Sequence, residues 1–537
     1  MNRTRQLLPW GLVLLLLAWA SPGVWPVVPV EGDEQGVLFG VDGMLQHDAV
    51  RLDMRYIYYL QPGYYQLLAV LVRLTGLSTE ILFGITTVIG AVGFALAGAR
   101  LLQILTGWAL GWTLVAILWC QEVTTAAFYM NTSALAGAGA ILAVILSRQP
   151  QRSAWLWAGV LLTLAGWLRA DSLLVAPACL GIAYWRKKQW QPALIRTAVI
   201  AVISLAGFLG LYALSGASLG DSFAVYQQRG FLHSGWRTFV EVFPQLLSPA
   251  LALAGLAGLG LLLSPPRRAL GLVFITGVAA SFLAHGTELT TPKYFYYITP
   301  FLLVPALALI DWLIRAAPAW PRSLRRAAGL AAVSLLVVDS VLGLRTLTPV
   351  QRYFLPAPTI ATFGEIKWKD KIFALVIGPG ELIPNVDAFR LRTGQWFAPA
   401  CWHREKQRMQ TDLATLRSWL TGGSDMTLFC SGWLTSQVAT RELLAAGFRP
   451  LDYQRRVSGV PGPEEWRRAE QVVHLSYLGY VSSIYQPPGP APASTTGSNT
   501  YFIGDGANQS LTELADDLHW HLHSALPEGL VTLYQRR

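Results

Sequence analysis

Over the first 346 residues the chain is a succession of long apolar runs joined by short polar connections. A helix needs about 20 predominantly apolar residues to cross the hydrocarbon core of a bilayer, and fewer where the membrane is thin or the helix is enclosed by others. By that measure spans are expected near Leu7–Val28, Thr79–Leu102, Trp108–Cys120, Thr132–Ser147, Ala154–Leu168 and Asp171–Trp185. Five more are expected near Ala193–Leu214, Phe239–Leu263, Ala269–Ala284, Tyr294–Ile314 and Ala327–Leu344. Lys and Arg test the count, because they concentrate in cytoplasmic connections. One set of connections carries Arg3, Arg5, Arg100, Arg148, Arg152, Arg186, Lys187, Lys188, Arg267, Arg268, Arg315, Arg322, Arg325 and Arg326. The alternate set carries the acidic stretch Glu31–Asp53, the surroundings of Glu122, the Arg169-Ala170-Asp171 bend, and the loops Ser215–Arg237 and His285–Lys293. This alternation predicts a cytoplasmic N-terminus and, after an odd number of crossings, an extracytoplasmic C-terminal region.

The aromatic stretch Tyr56–Thr75 is broken by Gln61-Pro62-Gly63 and carries Arg73, so it is expected along the membrane interface. A crossing there would destroy the downstream alternation. The first run follows basic residues and resembles a signal peptide. Further spans follow it, and its Pro-rich exit lacks a clear small-residue cleavage site, so an uncleaved helix is expected.

Beyond the last run the pattern shortens to strand and helix lengths. Phe373–Ile377 before Gly378-Pro379-Gly380 and Met426–Cys430 read as strands, while Thr411–Leu420 and Ser436–Ala446 read as helices. The expected organisation is a mainly α, polytopic membrane domain over residues 1–346, whose outer loop 29–78 carries interfacial helices. An extracytoplasmic soluble α/β domain is expected over 347–537.

Composition agrees with this reading. Apolar side chains make up 53% of the 537 residues and charged ones 13%, too greasy a balance for an ordinary soluble protein. The net charge of +10 falls in the connections, which makes it a signal of topology rather than of nucleic-acid binding. The 21 Trp and 19 Tyr suit interfacial belts. Of four Cys, Cys120 and Cys179 lie in apolar runs as small core residues, while Cys401 and Cys430 lie where a disulfide is chemically allowed.

Candidate chemistry begins just past the first span, at Glu31-Gly32-Asp33-Glu34-Gln35-Gly36. A water-facing loop carries charges in any case. A carboxylate held at the membrane surface also suits a general base, and adjacent carboxylates raise one another's pKa. An acidic pair after the first span, followed by the Pro-containing aromatic stretch Tyr58-Tyr59-Leu60-Gln61-Pro62-Gly63-Tyr64-Tyr65-Gln66-Leu67-Leu68, resembles the opening of GT-C class glycosyltransferases. Protein mannosyltransferases and lipid A aminoarabinose transferases are the best-known relatives of this kind. Gly166-Trp167-Leu168-Arg169-Ala170-Asp171-Ser172-Leu173-Leu174 resembles their outer bend, and Thr291-Pro292-Lys293-Tyr294-Phe295 before Pro300 resembles their entry to a late span. The chain departs from the pattern at Gln61-Pro62-Gly63, where the family commonly reads His-Pro-Pro, and at Asn131, near which it often carries an acidic residue.

The resemblance implies a polytopic bundle of GT-C type with about eleven spans and transfer of a sugar from a polyprenyl phosphate donor to an extracytoplasmic lipid, glycan or protein acceptor. In that reading Asp33 or Glu34 is the base of an inverting displacement. Cations at the outer interface would stabilise the departing phosphate. Arg169 and Lys293 are the leading candidates, with Tyr294, Arg229 and Arg237 beside them. Tyr64, Tyr65, Glu288 and His285 are candidate substrate contacts. No cofactor or nucleic acid is expected, although the sequence leaves dependence on a divalent metal open, and membrane lipids are expected partners. Arg169 has a structural alternative, an ion pair with Asp171. His519, His521 and His523 behind Asp516 and Asp517 are expected on a solvated amphipathic helix, and a metal role would require His519 and His523 to share its face. Two rival functions are a transporter or flippase, and a non-catalytic membrane anchor for an interaction domain. The first lacks paired halves with matching breaks and has Asp339 as its one deep acidic residue.

Overall fold

The computed structural model describes residues 3–24, 32–46, 61–120, 132–216, 249–285 and 297–347, the strand segments 361–368, 371–377, 426–430, 471–475, 520–525 and 531–536, and the isolated positions 220, 247, 407, 410 and 414. Helices run as α1 (Arg3–Val24), α2 (Gly32–Gln46), α3 (Pro62–Thr75), α4 (Thr79–Thr106), α5 (Leu110–Trp119), α6 (Ser133–Ser147) and α7 (Arg152–Leu168). A 3-10 turn (Ala170–Val175) leads into α8 (Ala178–Lys187), α9 (Trp190–Leu214), α10 (Pro249–Leu262), α11 (Arg268–His285), α12 (Thr299–Ala316) and α13 (Arg322–Val341).

Every expected span falls wholly or partly on one of these helices. Among the described residues, four helical segments are long and apolar enough to cross a membrane: Thr79–Thr106, Trp190–Leu214, Pro265–Leu283 and Thr299–Ala316. Others are short; α5, at 10 residues, rises only about 15 Å. The expected span Asp171–Trp185 is not one continuous helix, because Pro177 cannot supply an amide to the turn before it and the chain passes from 3-10 turn to α8 there. The last helix stops at Val341, short of the expected Leu344, and Leu342–Leu347 forms a strand instead.

Local signals set the helix ends. Pro62 occupies the first turn of α3, and Gly76 closes that helix in the left-handed conformation, φ 70°. Ser78 caps α4, accepting the Ile81 amide at 3.4 Å.

Small side chains put α6 at the centre. Ala134, Ala136, Ala138, Ala140 and Ala143 are all buried, and α6 packs between α4 and α7. Lipid offers no hydrophobic drive for helix association, so close backbone approach supplies it. The same device joins α10 to α12, where a Cβ on Gly258 would stand 2.0 Å from the Pro305 carbonyl oxygen. That oxygen is backbone and cannot swing aside. Gly258→Ala is expected to destabilise the bundle by about 3 kcal/mol, while Gly260→Ala, with nothing within 4 Å of its added methyl, is expected to melt like the parent. Thermal melts of both in detergent check this, and equal melting would remove the Gly258 contact.

The C-terminal strands form two sheets. β1 (Leu342–Leu347) and β2 (Ala361–Trp368) each pair antiparallel with the central β3 (Lys371–Ile377). The second sheet has the order β4 (Met426–Cys430), β5 (Gln471–Leu475), β7 (Val531–Arg536), β6 (Trp520–Ala525), with β4 and β5 parallel. The two expected strands correspond to β3 and β4. The expected helices lie almost wholly outside the described residues, as does Cys401. The histidine stretch is a correction. His521 and His523 lie in a strand, because Trp520 and Leu522 alternate with them at a period of two rather than of a helix. The helical face on which a metal role for His519 and His523 depended does not form.

Candidate functional site

The beginnings of α3, α6 and α12 and the end of α7 meet at one end of the bundle, the expected outer one. Four polar side chains link there. Arg169, which ends α7 in extended conformation, gives its Nε to both carboxylate oxygens of Asp171, at 2.8 and 3.0 Å. Its Nη1 donates to Thr132 Oγ1 at 3.0 Å, and the Thr132 hydroxyl donates in turn to Gln61 Oε1 at 2.6 Å. Gln61 and Thr132 are buried, and Arg169 and Asp171 are only 15% and 17% exposed. A charge placed so deep at a membrane boundary needs a counter-charge, and the Asp171 carboxylate supplies it.

Around this chain of bonds lie polar atoms with none. Ser133 Oγ, Trp167 Nε1, Ser172 Oγ and Thr299 Oγ1 are buried, with no hydrogen-bond partner among the described residues. Tyr297 sits close enough to Asp171 and Arg169 for its hydroxyl to interact with both. Buried polar groups are almost always paired, so this concentration makes the place a candidate site for a polar ligand.

The helix that bears the acidic pair packs against α3 and α4. Asp33 and Glu34 fall in the first turn of α2, and their side chains lie outside the described ones. Further along α2, Val37, Leu38 and Val41 are buried with Tyr64, Tyr65, Leu68 and Phe83. Thr79 donates to Asp42 Oδ1 at 2.9 Å, which fastens α2 to the N-terminus of α4, where the helix dipole favours a carboxylate.

Tyr64 and Tyr65 are packing residues. Both are fully buried; the Tyr64 ring meets Phe83 edge-on, and its hydroxyl lies 2.7 Å from Thr86 Oγ1. Burial raises the Tyr64 pKa despite its bonds to Thr86 and Thr87, so the phenol stays neutral. Gly63 explains how α3 reaches the network, because a Cβ there would lie 2.3 Å from the Trp167 ring. Lys293, Tyr294, Arg229, Arg237 and Glu288 lie outside the described residues, and His285 ends α11 with its side chain outside them.

The sequence reading missed Thr132, Tyr297 and Asp42 as site-forming residues. Thr132 carried one available signal, a hydroxyl residue opening a helix at the expected outer end.

No protein-family model matches the sequence, and no curated protein matches it. Solved structures do. A crystal structure of ArnT from Cupriavidus metallidurans bound to undecaprenyl phosphate aligns with a TM-score of 0.52 at 13% identity, covering 98% of this chain and 98% of that one. The apo crystal structure of ArnT from the same organism aligns with a TM-score of 0.47 at 13% identity, covering 98% and 97%. The chain shares the fold of the ArnT structure bound to undecaprenyl phosphate.

Proposed function

We propose that the chain is a membrane glycosyltransferase that moves a sugar from a polyprenyl phosphate donor to an acceptor on the extracytoplasmic face. The observation that carries this reading is the buried polar cluster around Arg169, placed at one end of an ArnT-like bundle beside the helix that bears Asp33 and Glu34. That the ArnT crystal structure is bound to undecaprenyl phosphate makes a polyprenyl phosphate the donor class to test.

In the proposed reaction Asp33 or Glu34 takes the proton of an acceptor hydroxyl as its oxygen attacks the anomeric carbon. The bond from that carbon to phosphate oxygen breaks, the configuration inverts, and polyprenyl phosphate leaves with the electron pair. Arg169 and Lys293 stabilise the charge that develops on the phosphate, assisted by Tyr294, Arg229 and Arg237. Asp171 and Thr132 hold the Arg169 guanidinium in place. Glu288 and His285 contact the sugar or acceptor, and the C-terminal domain orients the acceptor. The reaction as written uses no cofactor. It assigns the protein to the inner membrane, with a cytoplasmic N-terminus and a periplasmic C-terminal domain.

A turnover assay in nanodiscs, with radiolabelled polyprenyl phosphate sugars and an envelope extract as acceptor, tests it. Wild-type protein is expected to transfer label from at least one donor. Folded protein that transfers none of several sugars would favour the anchor or transporter reading.

A further inference from the structure

At the opposite end of the bundle, about 22 Å away along the 15 residues of α6, three guanidinium groups converge on the last turn of that helix. Arg196 Nη1 donates to the Ser147 carbonyl at 2.9 Å and to that of Arg148 at 3.1 Å. Arg186 Nη1 donates to the same Arg148 carbonyl at 2.7 Å. The Arg148 guanidinium lies over the Trp185 ring at 5.6 Å, and that of Arg196 over Trp155 at 5.0 Å.

The charge here does not balance. Among the described residues no carboxylate pairs with any of the three arginines. A helix C-terminus offers about half a negative charge against three positive ones. Burial, and then the charges of Arg186 and Arg100, hold the Arg148 pKa below its ordinary value, as expected of cations crowded without an anion. Among the described residues, Arg148 Nε and Arg196 Nε at this end are buried without partners. Both are donors only, so the partner that completes the cluster is an acceptor. Its surroundings identify the source. Leu156 and Trp157 of α7 and Leu194 and Ile195 of α9 are exposed in the same turns as Trp155 and Arg196, which gives acyl chains an apolar wall beside the cations.

We propose that this end of the bundle holds the phosphate of an anionic phospholipid headgroup against Arg148 and Arg186, with Arg196 behind them. Arg186 is exposed and Arg148 half-buried, so both are reachable from the membrane surface. The site is separate from the polar cluster around Arg169 and stands whether or not the chain transfers sugar.

Native mass spectrometry of delipidated full-length protein, titrated with phosphatidylglycerol or phosphatidylcholine of matched chains, tests it. Phosphatidylglycerol is expected to bind at least tenfold more tightly than phosphatidylcholine. Arg186→Gln is expected to weaken it about fivefold, and Arg148→Gln with Arg186→Gln about 25-fold, each basic residue counting about equally at a membrane surface. Arg186→Lys, which keeps the charge, is expected to stay within twofold of the parent. Because Arg186 is exposed, its variants test the site even if the double variant folds poorly. Equal binding of the two lipids, undiminished phosphatidylglycerol binding by Arg186→Gln, or displacement of the lipid by millimolar inorganic phosphate would overturn the proposal.

Discussion

Protein carrying Asp33→Asn together with Glu34→Gln is expected to lose sugar transfer by a factor of about 10² to 10⁴, the usual worth of a positioned general base. Its melting temperature and its donor binding are expected to stay near those of the parent. Both substitutions keep size and hydrogen-bonding capacity while removing the charge that accepts the proton. The anchoring of α2 uses other residues, Val37, Leu38, Val41 and Asp42, so the pair can be neutralised without undocking the helix. Single variants separate the roles, since the base is the residue whose loss alone reproduces the double effect. Unchanged turnover in the double variant would move the base elsewhere.

The second large effect lies at the Arg169–Asp171 pair. Arg169→Gln leaves the Asp171 carboxylate, 17% exposed, without its cation, and is expected to destabilise the protein by about 3 kcal/mol. Asp171→Asn leaves the complementary charge and is expected to destabilise it similarly. Combining the two removes both charges, so much of the lost stability is expected to return, a coupling that a double-mutant cycle measures directly. Transfer is the informative readout. If Arg169 acts on the donor phosphate, the double variant melts like the parent but stays inactive, with a raised donor KM. Recovery of transfer along with stability would leave the pair a structural role alone.

Much of the bundle was legible because the physics that makes a span is one-dimensional. A long apolar run with basic residues at alternate connections fixes where helices lie, as at Thr79–Thr106 and Trp190–Leu214. The bend at Arg169-Ala170-Asp171 was legible for the same reason, as was the structural alternative of an Arg169–Asp171 pair, which forms. The partners Thr132, Gln61 and Tyr297 were not, because Thr132 lies 71 residues from Gln61 and 37 from Arg169, Tyr297 lies on a still later helix, and they meet only through helix packing. The burial of Tyr64 and Tyr65 was not legible for a related reason. An aromatic pair near a Pro break fits a substrate wall and an interior packing layer equally well, and the pattern of the sequence does not show that both rings are buried. At the C-terminus the histidines fit helical spacing and strand alternation alike, and the period of two around Trp520 and Leu522 is the one that the fold follows.

The alanine-rich build of α6 has a consequence for how such a chain diverges. Positions facing lipid accept almost any apolar residue, so they drift freely. Positions such as Ala134, Ala138 and Ala140, buried against neighbouring helices, reject a larger side chain even when it is more lipophilic than the one it replaces. Distant kin are therefore expected to differ at nearly every membrane-facing site and still keep this one helix thin, so that ancestry is preserved there as side-chain volume long after residue identity has been lost.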